Sequence, residues 1–258
     1  MTPSDTIFSA ADQVATFTLN RPETGHAMTW AMYDALMEAC DRVDGDPAVR
    51  VFVIRSTGGV FCTGTDIRQF AAFTSAGDGL EYERRLDTCV TRLESVGVPT
   101  IAQVEGIAAG AGCVMALACD LRVCTAAARF GVPIARTLGN ALSLANCARL
   151  VEQLGLSRTK DLLLTGRLLD ATEASAAGLV TRMAEPADVE RVVGELAAAI
   201  GRNAPLTLRS MKQGLARVSR RREPGGGDDL LAASYGSHDF REGIAAFLEK
   251  RAPKFTGR

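Results

Sequence analysis

Histidine is nearly absent: His26 and His238 are the only two in 258 residues. A histidine-rich metal centre is therefore out of reach. An excess of either charge is also lacking. Lys and Arg number 29 against 30 Asp and Glu, a formal net charge of −1, which excludes the basic surface a nucleic-acid binder needs. No apolar run approaches the roughly 18 residues that cross a membrane. Met1-Thr2-Pro3-Ser4-Asp5 has neither a basic nor an apolar signal region, so no secretory leader is expected. There is no CxxC pair. The seven cysteines (Cys40, Cys62, Cys89, Cys113, Cys119, Cys124 and Cys147) are odd in number and scattered, mostly in apolar runs. They read as buried, reduced thiols of a cytoplasmic protein.

What the chain does have is enough apolar residue, 47%, for a substantial core. Its length fits one large domain, or one domain with an appendage. Val14 to Asn20 alternates as a strand and ends at Arg21-Pro22. Thr29 to Val43 carries Met32, Leu36, Met37 and Cys40 at helical spacing, with Thr29 as N-cap. Val49 to Arg55 is a buried strand, followed by a loop over 58–67. Leu80 to Leu93 is an amphipathic helix with Leu80, Tyr82, Leu86, Val90 and Leu93 as core positions. Thr100 to Val104 and Leu121 to Cys124 are further strands. Strands alternating with helices indicate an α/β fold with parallel pairing.

From Asn140 the pattern turns helical. Leu142 to Leu154 is one candidate, Lys160 to Leu164 starts another, and Ala171 to Gly178 is a third, before a last strand at Leu179 to Arg182. Helices follow over Asp188 to Ile200, Leu206 to Val218 and Ser237 to Lys250. The basic run Arg220-Arg221-Arg222 and the glycines 225–227 mark a polar turn. Residues 1–200 are expected to form the core and 201–258 a helical region.

The stretch from Glu105 to Asp120 organises the rest. It leaves a strand, passes through small residues at Ala108 to Gly112, and becomes apolar on nearly every side from Cys113 to Cys119. A short helix without a polar face is buried. Its first N–H groups lack helical partners and its dipole is positive there, so it can hold a phosphate or an oxygen that becomes negative during reaction. The loop over 58–67 is a second small-residue turn after a buried strand. Either the glycines only permit tight turns, or the N–H groups of both turns converge on one oxygen. A dinucleotide or nucleotide site fits poorly: Gly110-Ala111-Gly112 lacks a third glycine, and no Gly-Lys-Ser/Thr follows.

Phe61-Cys62-Thr63-Gly64-Thr65-Asp66-Ile67 resembles the first oxyanion-hole loop of the crotonase, or enoyl-CoA hydratase/isomerase, superfamily. Val104-Glu105-Gly106 through Gly112, with Leu117-Ala118-Cys119-Asp120, resembles its second signature. The likeness runs along the whole chain, through Leu19-Asn20-Arg21-Pro22, Phe130-Gly131-Val132-Pro133, Ala171-Thr172-Glu173-Ala174, Gly178-Leu179-Val180 and Phe247-Leu248-Glu249-Lys250-Arg251. It implies an α/β fold, a ββα spiral with a C-terminal helical trimerisation region, forming a homotrimer or a dimer of trimers. It implies an acyl-CoA ligand, with coenzyme A as part of the substrate and no separate cofactor or metal. The thioester oxygen would sit between the N–H groups of Thr65 and Ala111. Cys62, Thr63, Gly64, Asp66 and Ile67 would belong to the ligand-binding loop, its first residues lining the adenine pocket with their carbonyls. Phe247 and Lys250 fall where relatives contact coenzyme A. Arg21 is either a phosphate contact or a surface charge beside a turn.

The resemblance also implies two glutamates that a hydratase uses to activate water and protonate the α-carbon. They would fall at Val114 and Ile134, which cannot move a proton. The aspartate of a related dehalogenase branch, near Ala141, is absent too. Glu81 and Glu83, on the helix covering the acyl pocket, and Arg136 and Asn140, after Ile134, are the remaining acid/base candidates; each also has an ordinary structural role open to it. Cys113 reads as packing and His26 as a local hydrogen-bonding residue. The expectation is an acyl-CoA isomerase, lyase or hydrolase of this family with slow ordinary hydration. The alternative is a non-catalytic acyl-CoA-binding protein or a partner subunit of an active relative.

Overall fold

A computed structural model describes residues 4–72, 76–137, 140, 142–221, 242, 249, 251, 254, 256 and 258. In chain order the elements are β1 (Thr6–Ala11), β2 (Val14–Leu19), α1 (Trp30–Gly45), β3 (Val51–Ser56), α2 (Ala76–Glu94), β4 (Thr100–Val104), β5 (Ile107–Ala109), α3 (Ala111–Ala118), β6 (Leu121–Cys124), β7 (Arg129–Gly131), α4 (Ile134–Thr137), α5 (Leu144–Thr165), β8 (Leu169–Asp170), α6 (Ala171–Ala176), β9 (Arg182–Met183), α7 (Val189–Gly201) and α8 (Pro205–Arg221).

Two sheets share the strands. The larger runs β1-β2-β3-β4-β6-β9 and the smaller β5-β7-β8. The β1–β2 pair is antiparallel, and every other neighbour in the large sheet is parallel. Successive turns of chain feed both sheets. β3 goes to the large one and Cys62 bridges to Ala108 beside the small one. β4 then β5, and β6 then β7, repeat that path. This is a spiral, and it stacks 62, 108 and 130 side by side in parallel.

The run Val51-Phe52-Val53-Ile54 is apolar throughout because both faces of the sheet are covered. Phe52 and Ile54 face the main core with α1, α2 and α3. Val51 and Val53 face Val189, Val193, Leu196 and Ala197 of α7. Thr29 caps α1, its side chain accepting from Met32 N–H. Asp170 and Glu173 form a capping box on α6.

Several expectations change. Leu80 is not a core position: it is 58% exposed, while Tyr82, Leu86, Val90 and Leu93 are buried. The two helices expected after Leu142 lie end to end in α5, separated after Leu154 by Gly155 in a non-helical conformation (φ 76°, ψ 157°), so the second starts earlier than Lys160. The last strand is only Arg182–Met183. β1 and the three-residue strands β5 and β7 were not legible in the pattern. The glycine turn 225–227 and most of the segment from Ser237 to Lys250 lie outside the described residues. Among the described residues no helix is long and apolar enough to cross a membrane.

Candidate active site

The two small-residue segments meet at Gly64. Phe61 and Cys62 N–H donate to Ile107 carbonyl at 3.1 and 2.9 Å, and Ala109 N–H donates to Cys62 carbonyl at 2.9 Å. That carbonyl sits against Gly112, where a Cβ would collide with it. Gly106, at φ +64°, likewise packs on the carbonyl of Gly59. Glycine is required at both places because backbone occupies the side-chain volume. Gly64, at φ +114°, turns the chain so that a Cβ there would lie 3.3 Å from Ala109 carbonyl and 3.7 Å from Ala111 nitrogen.

Beyond Gly64, the Met28 backbone pairs on both sides of Thr65. Met28 N–H donates to Gly64 carbonyl at 2.8 Å and Asp66 N–H donates to Met28 carbonyl at 2.9 Å. Thr65 N–H is skipped by this ladder. On the other segment Gly110 N–H donates to Gly131 carbonyl and Val114 N–H to Gly110 carbonyl. Among the described residues neither Thr65 N–H nor Ala111 N–H has a protein acceptor. Both belong to segments joined at Gly64, and Ala111 opens α3, where the helix dipole adds positive potential. The far end of α3 is closed by Arg122, 5% exposed, which donates to the carbonyls of Ala116 (3.0 Å) and Cys119 (2.5 Å).

Asp66 holds the loop from the other side. Its carboxylate accepts from Arg68 Nε at 2.9 Å and from Arg21 Nη1 at 2.8 Å. Arg68 first, then Arg21, keeps its carboxyl well below the ordinary range against the opposing effect of burial. It is an anion held by two guanidinium groups. Arg21 also donates to Ala27 carbonyl; its side chain is only 12% exposed and its guanidinium is internally paired, so it is no surface charge. His26, 1% exposed, accepts from Arg21 N–H through Nδ1, with Nε2 2.6 Å from Thr57 carbonyl. It is the local hydrogen-bonding residue expected.

Among the acid/base candidates, Glu81 points to solvent and pairs with Arg84 at 2.9 Å. Glu83 is half-buried, and burial raises its carboxyl above the ordinary value. Its Oε2 accepts from Ser143 N–H at 3.1 Å, beside Asp87, which accepts from Ser143 Oγ and Asn146 Nδ2. These carboxylates clasp the N-terminus of α5. Val114 is fully buried, and Ile134 packs against the main core. Asn140 is exposed; Arg136 lies in α4, its side chain outside the described residues. Phe247 and Lys250 also lie outside them. Thr63 is exposed, bonding Thr24 carbonyl; Ile67 is 57% exposed. Cys113 is buried, and burial pushes its thiol up to about 12, so the helix N-terminus produces no thiolate there. Tyr33 was overlooked: its hydroxyl lies 2.6 Å from Thr65 Oγ1. A tyrosine at a periodic core position was its only signal.

The spiral thus places Thr65 and Ala111, whose N–H groups have no protein acceptor among the described residues, on segments joined at Gly64 beside the N-terminus of buried α3. The enoyl-CoA hydratase/isomerase family model matches residues 9–258. The 2,3-dehydroadipyl-CoA hydratase of Escherichia coli is 34% identical, over 99% of this chain and 100% of that protein. An enoyl-CoA hydratase/carnithine racemase of Magnetospirillum magneticum superposes with a TM-score of 0.93 at 29% identity, over 100% and 97% of the two chains. An enoyl-CoA hydratase of Mycobacterium tuberculosis gives 0.84 at 31%, over 98% and 99%. The chain belongs to the enoyl-CoA hydratase/isomerase family, and its fold is the crotonase-type α/β spiral with a helical C-terminal region.

Proposed function

We propose that the chain binds a coenzyme A thioester with its carbonyl oxygen between Thr65 and Ala111 N–H, and stabilises an enolate or tetrahedral oxyanion there. The observation that carries this reading is the pair of N–H groups that have no acceptor among the described residues, on segments locked together at Gly64. Donors fixed before reaction contribute about 3–4 kcal/mol each to such a transition state. Coenzyme A arrives as part of the substrate. Among the described residues no His, Cys, Asp and Glu cluster could hold a metal.

Val114 and Ile134 stand where the family resemblance puts the hydratase glutamates, and neither carries a proton. Each missing acid or base forfeits about 10²–10⁴-fold, so simple trans-2-enoyl-CoA hydration is slow here. The site suits chemistry that needs less proton transfer: isomerisation with a base from elsewhere, decarboxylation, thioester hydrolysis, or a substrate bringing its own acid or base. Glu83, already engaged at the α5 terminus, is the nearer of the two nominated carboxylates to such a role, since Glu81 faces water.

The assembly proposed is a homotrimer or dimer of trimers built on the C-terminal helices, where Met211, Leu215 and Val218 of α8 are 61–71% exposed. A sedimentation experiment checks it. Seven free thiols fit a cytoplasmic site. For activity, enoyl-, β-hydroxyacyl- and malonyl-type thioesters are incubated with the protein and products followed by mass. Conversion of a non-hydration substrate with slow crotonyl-CoA hydration is expected. Fast hydration would overturn the assignment of Val114 and Ile134. Tight binding with every substrate returned unchanged would favour the second reading, a binding protein or partner subunit, to which the buried Val114 points.

A further inference from the structure

Thr65 carries more than its backbone N–H. Its hydroxyl lies 2.6 Å from the hydroxyl of Tyr33, on α1, and 2.9 Å from that of Tyr82, on α2. Tyr33 is 1% and Tyr82 8% exposed. The rings are fixed by packing: Trp30 lies 5.7 Å from Tyr33 and 5.8 Å from Tyr82, and Phe70 meets Tyr82 edge-on at 4.8 Å. Arg85 of α2 stacks over Trp30 of α1 at 4.3 Å. Burial pushes the Tyr82 phenol up to about 12 and that of Tyr33 higher than its ordinary value. Both keep their protons, so the three hydroxyls form a neutral chain in which each phenol can donate to Thr65 Oγ1 or accept from it.

The backbone on either side of Thr65 is already paired with Met28. The two phenols add a lock on the side chain. Together these contacts fix the soft torsions that aim the Thr65 N–H. An oxyanion donor is effective only if its direction is set before charge develops, and a site is useful only when held within about 10–20° of its working geometry.

We propose that Tyr33 and Tyr82 are positioning residues for the oxyanion hole, orienting Thr65 N–H through its hydroxyl and tying that orientation to the seating of α2 on α1. The role rests on the acyl-CoA reading given above. Removing one phenol oxygen leaves the ring in place and leaves the Thr65 hydroxyl with one of its two phenol partners, so its side chain is held less tightly.

The test uses 4-(dimethylamino)cinnamoyl-CoA, whose absorption moves to longer wavelength as its thioester carbonyl is polarised. The native protein is expected to red-shift the bound probe. Tyr33→Phe and Tyr82→Phe each lower that shift by about half, with probe affinity within about threefold of native, since differential carbonyl stabilisation is lost and uniform binding is not. Thr65→Val lowers it further, and Thr65→Ser, which keeps the hydroxyl, restores it. A full shift in both phenylalanine variants overturns the role, even if their melting temperatures fall. Should Tyr33→Phe fail to fold, Tyr82→Phe, nearer the surface, decides alone. No shift in the native protein overturns the acyl-CoA reading and this role together; a native shift that the variants retain overturns this role only.

Discussion

Arg21 Nη1 lies 2.8 Å from Asp66 Oδ2, joining the turn after β2 to the loop that carries Thr65, 45 residues later. Asp66 is 7% exposed and is shared with Arg68. The pair turns the loop's most conspicuous charge into a strut.

Replacing Asp66 by Asn should therefore destabilise the fold by about 2 kcal/mol at pH 7, as for a buried charge-assisted hydrogen bond. The sign with pH follows from the depressed carboxyl. Its folded pKa lies below the unfolded value of about 3.9, so the contribution is complete above about pH 5 and is lost as pH falls through the folded value. Urea denaturation at pH 7 and pH 3 should show a gap between native and Asp66→Asn that narrows in acid. A gap that widens in acid would contradict the pairing.

Gly112→Ala should be far more damaging than an alanine at an open glycine. Its Cβ would run into the carbonyl of Cys62, while nothing lies within 4 Å of a Cβ on Gly59. We expect Gly112→Ala to cost about 3 kcal/mol or more and Gly59→Ala about 0.5 kcal/mol or less. Thermal melts of the two variants provide the comparison; equal melting temperatures would show that the two loops do not touch.

Thiol reactivity should be confined to one position. Six of the seven cysteines are buried and Cys147 is partly exposed. Burial pushes Cys40, Cys62, Cys89, Cys113 and Cys119 up to about 12 and Cys124 to about 11. Since the thiolate is the reactive form, titration of the native protein at pH 8 with an aromatic disulfide should modify Cys147 alone, and Cys147→Ser should abolish that phase. Rapid modification of Cys113 would mean that the N-terminus of α3 does activate a thiol.

Restoring a carboxylate should restore some hydration. Ile134 is only partly buried, whereas Val114 is at 0% exposure. Ile134→Glu is the gentler change, because an uncompensated carboxyl at Val114 carries a desolvation cost of several kcal/mol. We expect Ile134→Glu to raise crotonyl-CoA hydration by about 10²-fold, one general acid's share, as followed by the loss of enone absorbance. An unchanged rate would show that position 134 does not face the substrate.

Local order was legible without coordinates wherever one side of an element alone is decisive. The apolar run 51–54, the all-apolar helix text 113–119 and the Thr29 cap follow from period and capping chemistry. They name the α/β class, and the small-residue text at 61–67 and 104–112 points to the two loops. Tertiary structure decided what those loops face. That Gly112 must lack a Cβ because of Cys62, that Met28 pairs around Thr65 and leaves its N–H unspent, and that Tyr33 and Tyr82 close on the Thr65 hydroxyl are contacts between residues 17 to 50 apart in sequence. The same holds for Glu81 and Glu83. They sit two residues apart on one helix, yet one meets water and Arg84 while the other meets the N-terminus of α5. Periodicity reports which face of an element is buried; it carries no information about which distant backbone atom that face will meet, because that is fixed by the stacking of the spiral's turns.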